Sequence, residues 1–286
     1  MKAIRRAALL GVLVLATLVG SVPVLAVQEA AVVTRQALTD AQIEDFLLNA
    51  RIGDAKGVNK GVTNTRRATL SDGRITHDAS IQTVDISKTL FEPDRGPKEL
   101  NFKDTYRYNI AGYRLARLLG LDKVPVSVER RVQGTPAAVT WWIDDVLMDE
   151  GARFKKQQTT GTKLSTREAG QIHVMRVFDA LIANTDRNFG NLLWTTNGDM
   201  WMIDHTRAFR LDKKLKSPKL LERVERGLLE KMRGLTAEAL TRDVGKSLNP
   251  SEIEALLARR DEIVKLFEGM IAQRGEGAIL YTLAPS

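Results

Sequence analysis

Three polar residues of this sequence, Asp186, Asn191 and Asp204, could do chemistry together because of their types and their spacing. Two short apolar segments with strand character connect Asn191 to Asp204, and Asn197-Gly198 between them is typical of a hairpin turn. The sequence therefore predicts that Asn191 and Asp204 lie at the two open ends of one β-hairpin, where a carboxamide and a carboxylate come together.

This set of groups matches the requirements of phosphoryl transfer to a hydroxyl. One carboxylate orients or deprotonates the acceptor, while an amide and a second carboxylate supply oxygen ligands to Mg²⁺, which bridges the phosphates of ATP. Asp186 is thus the candidate base or acceptor-orienting residue, and Asn191 and Asp204 are the candidate metal ligands. Each residue taken alone would more often be a turn, cap or strand-end residue, but the three in this order favour a site.

The spacing D-x-x-x-x-N, followed by I-D, matches the catalytic and metal-binding elements of protein-kinase-like folds. Asp186-Arg187 before Asn191, and D-H-T in place of D-F-G, resemble the atypical branch of that superfamily: phosphoinositide 3- and 4-kinases, HipA-type kinases and secretory-pathway kinases. The resemblance implies an α+β, bilobal fold with a small antiparallel β-lobe and a helical large lobe. It also implies ATP, with Mg²⁺ or Mn²⁺ as the metal ion. Arg187 would then neutralise charge beside the base or anchor the segment after Asp204.

The loop between the first two predicted strands contains Gly57 and Gly61, where a kinase small lobe places the glycines that cover the phosphates. Glycine lets backbone N–H groups approach a phosphate closely, and Thr63 and Arg67 could add contacts. A flexible turn without a ligand is the alternative, because two glycines in a loop are a weak motif. These four residues are therefore candidate phosphate contacts.

The third predicted strand should carry the lysine that contacts the α- and β-phosphates of ATP, and Gln82 occupies that position. The following helix should supply the partner glutamate, and Asn109 stands there instead. Two amides can form a hydrogen-bonded pair of matching geometry, since each has a donor and an acceptor. A neutral pair leaves the positive charge to the metal ion or to a nearby basic residue, for which Lys88 and Arg67 are the candidates, unless the chain is catalytically impaired.

The elements that must position these residues are predicted from hydrophobic periodicity and from turn and cap residues. The predicted strands are 50–58, 65–70, 76–84, 126–130 and 138–143, which would form a five-stranded antiparallel small lobe. The predicted helices are 39–49, 102–119, 165–183, 218–232, 236–248 and 251–272, with a loop at 153–163. This gives a linker at 27–44, a small lobe at 45–148 that ends in a hinge at 144–148, and a large lobe at 149–286.

Residues 1–26 have the pattern of a secretory signal peptide. Three basic residues precede an apolar stretch at 7–19, and a small-residue cleavage site ends at Ala26. We therefore expect export, to the periplasm or the extracellular space, after cleavage near Ala26. The alternative is an uncleaved membrane anchor, because the apolar stretch approaches the ~20 residues that can span a bilayer.

The composition excludes some classes of function and limits the kinds of molecule that the protein is expected to bind. The chain has no cysteine, which excludes thiol catalysis and disulfides but is compatible with export for a chain of 286 residues. The formal charge of +8, or +5 without the three basic residues of the predicted signal peptide, is dispersed and fits an anionic ligand better than nucleic acid. The expected partners are a nucleotide and a hydroxyl-bearing acceptor on a protein, lipid head group or sugar. We expect a monomer, with membrane contact only if the N-terminal segment stays uncleaved.

Three alternatives to an active kinase remain open from the sequence. A nucleotide-binding pseudokinase would be an interaction module without turnover. The amides Gln82 and Asn109 also leave open the transfer of AMP instead of the γ-phosphate. In the third alternative, the chain is a secreted helical binding protein in which the D-x-x-x-x-N spacing is accidental.

Overall fold

The structure, a computed structural model, describes residues 38–57, 65–92 and 98–283. The predicted signal peptide, most of the predicted linker, and the candidate residues Gly61 and Thr63 lie outside these residues. In chain order the strands are β1 Arg51–Gly57, β2 Arg66–Ser71, β3 Thr76–Gln82, β4 Asp85–Phe91, β5 Glu99–Thr105, β6 Ser127–Val132, β7 Thr135–Trp141, β8 Val146–Asp149, β9 Leu192–Thr195, β10 Met200–Met202, β11 Val224–Glu225 and β12 Leu280–Tyr281. The helices are α1 Asp40–Asn49, α2 Arg107–Leu118, α3 Glu150–Thr160, α4 Thr166–Leu181, α5 Arg226–Arg233, α6 Ala237–Val244, α7 Pro250–Arg274 and α8 Glu276–Ile279.

Five antiparallel strands form the sheet of the small lobe, in the order β1-β2-β3-β7-β6. Alternate residues point into the core, as in β2 and β3, where Ala68 pairs with Ala79 and both are buried. In the β6–β7 turn, Gln133 and Gly134 have φ of 50° and 82°, the left-handed pair that a two-residue hairpin turn requires. The five-stranded antiparallel small lobe predicted from the sequence is confirmed.

Helix α1 packs on this sheet and belongs to the small lobe. Phe46 and Leu47 are buried in the core, and Arg130 of β6 donates hydrogen bonds to the carbonyls of Leu47 and Ala50. Thr39 closes a capping box with Gln42 at the start of the helix. Helix α1, Asp40–Asn49, confirms the helix predicted at 39–49.

A two-stranded antiparallel ribbon, β4–β5, lies between β3 and α2 in the chain, and the sequence did not predict it. The predicted helix 102–119 is wrong over its first residues, because 102–105 complete β5 and α2 begins at Arg107. Most side chains of β4 are exposed, and Leu100 of β5 is 73% exposed. The ribbon therefore lacks the strict alternation of buried apolar and exposed polar residues that identifies a strand in a sequence.

The large lobe is mostly helical, as expected, with two differences in detail. The loop predicted at 153–163 is largely helix α3, which has Glu150 as its single buried residue and therefore shows no apolar stripe. Helix α4 begins after a capping box formed by Ser165 and Glu168, within the helix predicted at 165–183. The predicted helix 218–232 is instead a 3₁₀ turn at Pro218–Leu220, then β11 in parallel pairing with β12, then α5.

A third sheet, β10-β9-β8, lies where the two lobes meet, and β8 covers part of the predicted hinge 144–148. One cluster of buried apolar side chains includes Leu70 and Ile81 of the small lobe together with Phe178 and Phe267 of the large lobe. The two lobes thus share a continuous core, which fixes the positions of the polar groups between them. Among the helices that the structure describes, none is long and apolar enough to cross a membrane.

Candidate active site

The hairpin β9–β10 brings Asn191 and Asp204 together as the sequence predicted. Leu192 pairs with Met202, so Asn191 precedes the first paired residue and Asp204 follows shortly after the last. The backbone N–H of Ile203 donates to the carbonyl of Asn191 at 3.0 Å and closes this end of the hairpin. At the other end, Gly198 has φ of 81°, a conformation that favours glycine in a tight turn.

Asp204 carries a carboxylate that is largely enclosed by protein, and burial raises its pKa above the ordinary value. Hydrogen bonds from Thr206 and Gln82 and the positive charge of Arg187 oppose this rise. The Thr206 hydroxyl donates to Oδ1 at 3.2 Å, and the Gln82 amide approaches the same oxygen at 3.5 Å. Within the described ranges no lysine or arginine forms an ion pair with Asp204, and Arg187 acts on this carboxylate only through its charge.

Asp204 also has φ of 55°, in the left-handed region that side chains other than asparagine and aspartate rarely adopt. Strain of this kind costs of order 1–3 kcal/mol and persists where the surrounding structure imposes it. The local conformation therefore aims this carboxylate in a direction that a regular strand ending would not give.

Asp186 lies in the loop that follows α4 and is accessible, with 52% of its side chain exposed. Its backbone N–H donates to the Asn184 side chain at 3.2 Å, which fixes the turn. Nη1 of Arg207 lies 3.3 Å from Oδ2 of Asp186. This carboxylate is thus open to a ligand on one side and paired with a guanidinium on the other.

A third carboxylate, Asp104 at the end of β5, completes the acidic group, and the sequence reading missed it. Burial raises the pKa of Asp104, and repulsion from Asp204 and Asp186 adds to this effect, while Thr206 and Arg207 oppose it. Its Oδ1 is buried without a hydrogen-bond partner among the described atoms. Because residues 102–105 were assigned to a helix, the pattern gave no reason to place Asp104 beside the other two carboxylates.

The predicted amide pair is present and reaches the same group. Nδ2 of Asn109 donates to Oε1 of Gln82 at 2.5 Å, and Oδ1 of Asn109 accepts the backbone N–H of His205 at 2.8 Å. Gln82 and Asn109 are each 6% exposed. With the weak contact from Gln82 to Asp204, these bonds connect β3, α2 and the segment around Asp204 through neutral groups alone.

The contacts of Arg187 are those of an anchor, the second of the two roles that the sequence left open for it. Nε and Nη2 donate to the two oxygens of Asp179 at 2.9 Å each, and Nη1 donates to the carbonyls of Asn191 and Ile203. Nη2 also lies 3.1 Å from Nε2 of His205. Since a guanidinium has five N–H donors, these contacts use all of them and leave none for a phosphate.

His205 completes this anchor as a neutral, buried ring. Burial, reinforced by the positive charge of Arg187, holds the pKa of His205 well below its ordinary value. Phe178 packs edge-on against the ring at 5.9 Å between centroids. On the other side is Gly112 of α2, where a Cβ would lie 3.2 Å from Cγ of His205, so the helix can approach the ring this closely because it has glycine at that position.

The basic residues proposed from the sequence to supply positive charge lie in other contacts. Arg67 donates to Asp78 at 2.7 Å and lies over the ring of Trp142. Lys88 lies over Phe91 and lines a separate cavity whose walls include none of the three candidate catalytic and metal-binding residues. Gly57 ends β1, next to residues that the structure does not describe.

Arg207 is the cation that contacts the acidic group, a residue that the sequence reading did not select. Besides Asp186, it contacts Glu99 at 3.2 Å and lies over the ring of Phe102 at 4.9 Å. It also stands three residues after Asp204, and a basic residue shortly after the candidate metal ligand was the available signal in the sequence. The guanidinium of Arg207 thus places a positive charge beside Asp186 and Asp104. The neutral side chain of Gln82 does not provide such a charge.

The donor set suits a divalent cation that also has phosphate ligands. In the part of the chain that the structure describes, no three His, Cys, Asp or Glu side chains converge on one point. Mg²⁺ in nucleotide sites needs only one or two protein ligands, because phosphates and water supply the rest. Asn191 and Asp204 at the open end of the hairpin meet this requirement.

Comparison with solved structures identifies the fold. The chain superposes on a structure described as hydra Fam20 with sugar at a TM-score of 0.62, with 14% identity over 85% of this chain and 92% of that chain. It superposes on the golgi casein kinase at a TM-score of 0.58, with 13% identity over 86% and 79% of the two chains. A Helicobacter pylori proinflammatory kinase, CtkA, is more distant, with a TM-score of 0.47 and 10% identity over 79% and 97%.

No family model matches the sequence, and no curated protein matches it either. The two closer superpositions, both over most of each chain, therefore show the fold and not a family. The fold is that of the atypical protein kinases, as the catalytic-loop spacing predicted.

Proposed function

We propose that the protein transfers the γ-phosphoryl group of ATP to a hydroxyl acceptor. The observation that carries this proposal is the placement of Asn191 and Asp204 at one end of the hairpin, with the Asp204 carboxylate enclosed and without a cationic partner in the described ranges. An enclosed, unpaired carboxylate is costly for a protein to keep unless a ligand supplies the missing positive charge. In a kinase fold that ligand is a metal ion together with a nucleotide.

Asn191 and Asp204 would hold Mg²⁺, or Mn²⁺ as the alternative ion. When bound together with ATP, the ion neutralises charge on the phosphates and orients them. The buried, unpartnered Oδ1 of Asp104 is a further acceptor close to Asp204, and it fits a water ligand of the ion.

Asp186 would orient the acceptor hydroxyl and accept its proton. Its carboxylate is half exposed, so an acceptor can reach it from solvent. Arg207 would hold that carboxylate in place and supply positive charge next to the transferred group, the part that a lysine on β3 plays in other kinases. Arg187 and His205 keep the catalytic loop and Asp204 at a fixed separation.

The acceptor and the location of the reaction rest on the sequence. We propose that the protein is exported after cleavage near Ala26, acts as a monomer and uses a hydroxyl on a protein, lipid head group or sugar. One of the two closer structural neighbours was solved with a sugar and the other is a casein kinase, which supports testing sugar and protein acceptors first. Nucleic acid is not among the proposed partners.

The proposal is tested by incubating the full chain and Mg²⁺ with ATP labelled on the α- or the γ-phosphate. Label transfer to an acceptor, or release of labelled phosphate, is expected from γ-labelled ATP alone, and Asp204→Ala should abolish it. Lys213→Gln is a suitable control, because Lys213 is an exposed residue paired with Glu254. Turnover unchanged in Asp204→Ala would overturn the assignment.

A second candidate function, a nucleotide-binding module without turnover, is favoured by one observation. The neutral pair Gln82 and Asn109 occupies the position of a charged pair, so the phosphates lose one protein cation. Stabilisation by Mg-ATP without any label transfer would select this function. Transfer of α-label would instead indicate AMP transfer on the same fold.

A further inference from the structure

A second polar cavity, separate from the proposed active site, lies between the β4–β5 ribbon and the start of α7. Its volume is about 390 Å³. The walls come from the ribbon, from Tyr108 of α2, from the segment 209–211 after Asp204, and from residues 249–252. None of the residues proposed to bind metal or acceptor lines it, so this cavity needs its own explanation.

The cavity has an excess of positive charge. Lys88, Lys103 and Arg210 are in its walls with the single carboxylate of Glu252, and Glu99, which lies outside the walls, pairs with Arg210. Glu252 is saturated: Oε1 accepts from Nζ of Lys103 and from the hydroxyl of Tyr108, and Oε2 accepts the backbone N–H of Asn249. This carboxylate therefore has little capacity left to neutralise another cation.

Two of the three cations keep bonding capacity. Lys88 forms no ion pair with any described residue. The side chain of Arg210 is 8% exposed and bonds to Glu99 through Nη2, while its Nε is buried without a partner in the described part of the chain. A buried, unpartnered guanidinium N–H in a cavity wall is costly unless an acceptor occupies the cavity.

Neutral donors surround these charges, namely the side chains of Ser87, Thr89, Asn101 and Ser251. Helix α7, with 25 residues, begins at this wall, so its dipole adds to the positive potential. Hydroxyl and amide donors next to lysine and arginine are the groups that bind phosphate oxygens. We propose that this cavity binds a small phosphate-bearing dianion.

A ligand there would connect the ribbon to the large lobe. Lys103 of the ribbon already contacts Glu252 of α7, and Tyr108 lies next to Asn109, which bonds to Gln82. An anion between Lys88 and the start of α7 would add a second connection at the same place. The cavity would thus have a role separate from the proposed phosphoryl transfer. It would be an effector site whose ligand stabilises the junction of the lobes.

The test measures binding of inorganic phosphate and of phosphoserine to the full chain by isothermal titration calorimetry. Lys88→Gln should weaken the affinity about tenfold or more, because one charged hydrogen bond is lost. Lys213→Gln removes an equal charge from an exposed lysine outside the cavity and should leave the affinity unchanged. Asp204→Asn should retain phosphate binding, which separates the cavity from the proposed active site.

Each outcome decides the proposal. Binding of inorganic phosphate that depends on Lys88 identifies free phosphate as the ligand, and binding of phosphoserine alone identifies a phosphate ester. Absence of binding by both would overturn the proposal, as would equal weakening by Lys88→Gln and Lys213→Gln, which would indicate an unspecific charge effect. Binding lost in Asp204→Asn but kept in Lys88→Gln would place the phosphate in the proposed active site and also overturn it.

Discussion

The two lobes contribute chemically different groups to the candidate site. The small lobe supplies Gln82 and Asn109, which are neutral, buried and bonded to each other. The large lobe supplies Asp186 and Asp204, of which the first is open to solvent and the second is enclosed without a cationic partner in the described ranges. The small-lobe amides have hydrogen-bond partners within the protein, whereas the enclosed carboxylate of Asp204 has no ion-pair partner among the described residues and is arranged for a ligand.

This difference locates the proposed chemistry in the large lobe. A satisfied amide pair stabilises the junction between β3 and α2 whether or not a nucleotide is bound. Unpaired carboxylates reduce stability and are retained where a ligand uses them. Substitutions of the large-lobe carboxylates should therefore change turnover, and substitutions of the small-lobe amide pair should change the affinity for ATP.

The largest effect is expected on the large-lobe side from Asp186→Asn. Turnover of γ-labelled ATP should fall by about 10²–10⁴-fold, because the amide cannot accept the acceptor proton. The melting temperature and the affinity for Mg-ATP should stay near those of the wild type, since Asp186 is half exposed and is not a proposed metal ligand. A parallel loss of stability would show that Asp186 is structural and would break the comparison.

Arg187 and Arg207 are two arginines near the site whose substitution should affect stability to different extents. Arg187→Ala leaves the carboxylate of Asp179 buried without its partner and should lower the free energy of unfolding by about 3–5 kcal/mol. Arg207→Ala should destabilise the protein less, by about 1–2 kcal/mol, because its pairs with Asp186 and Glu99 are partly exposed and only its contact with the Phe102 ring is lost in addition.

The turnover of Arg207→Ala tests whether this arginine has a role in the reaction beyond its contribution to stability. Arg207→Ala should reduce turnover by about 10²–10³-fold, as removal of one charge-stabilising group does elsewhere. Denaturant unfolding and labelled-ATP turnover measure the two effects. Full turnover in Arg207→Ala would contradict the proposal that Arg207 supplies positive charge next to the transferred group.

On the small-lobe side, a charged pair can replace the amides. Gln82→Lys alone would place its ammonium next to the Asp204 carboxylate, where it competes with the metal ion, whereas the double variant Gln82→Lys and Asn109→Glu should tighten the affinity for ATP about tenfold by adding one charged hydrogen bond. Isothermal titration calorimetry on the single and double variants measures this coupling. An affinity unchanged in the double variant would mean that ATP does not contact this pair.

The smallest effects compare two helical glycines. Gly112→Ala should destabilise by about 1–3 kcal/mol, because the new Cβ would lie 3.2 Å from Cγ of the fixed His205 ring. Gly269→Ala in α7 meets no atom within 4 Å and should stabilise by about 0.4–1 kcal/mol. Thermal unfolding of both variants tests the packing. Equal effects would mean that the approach of α2 to His205 does not hold the junction.

The regular parts of this fold could be predicted from the sequence. The five strands of the small-lobe sheet have turn residues at both ends, and the hairpin around Asn197-Gly198 has an apolar strand on each side. Caps such as Thr39 marked helix starts. These signals are local, so a single sequence contains them.

The parts that could not be predicted depend on long-range contacts. The β4–β5 ribbon is mostly exposed, and its position is set by Glu99, which pairs with Arg207 and Arg210 more than a hundred residues away. Asp104 therefore entered the site without a local signal, and the only local signal for Arg207 was its place shortly after Asp204. The sequence placed Arg187 in the right loop. Only the folded structure shows that all of its N–H donors are engaged within the protein.

One measurement tests the central claim most directly: the thermal stability of the full chain with ATP, in the presence and absence of Mg²⁺, for the wild type and for Asp204→Asn. The account predicts that ATP raises the melting temperature of the wild type only with Mg²⁺, and that this rise is absent in Asp204→Asn. An equal, Mg²⁺-dependent rise in both proteins would contradict the assignment of Asp204 as a metal ligand.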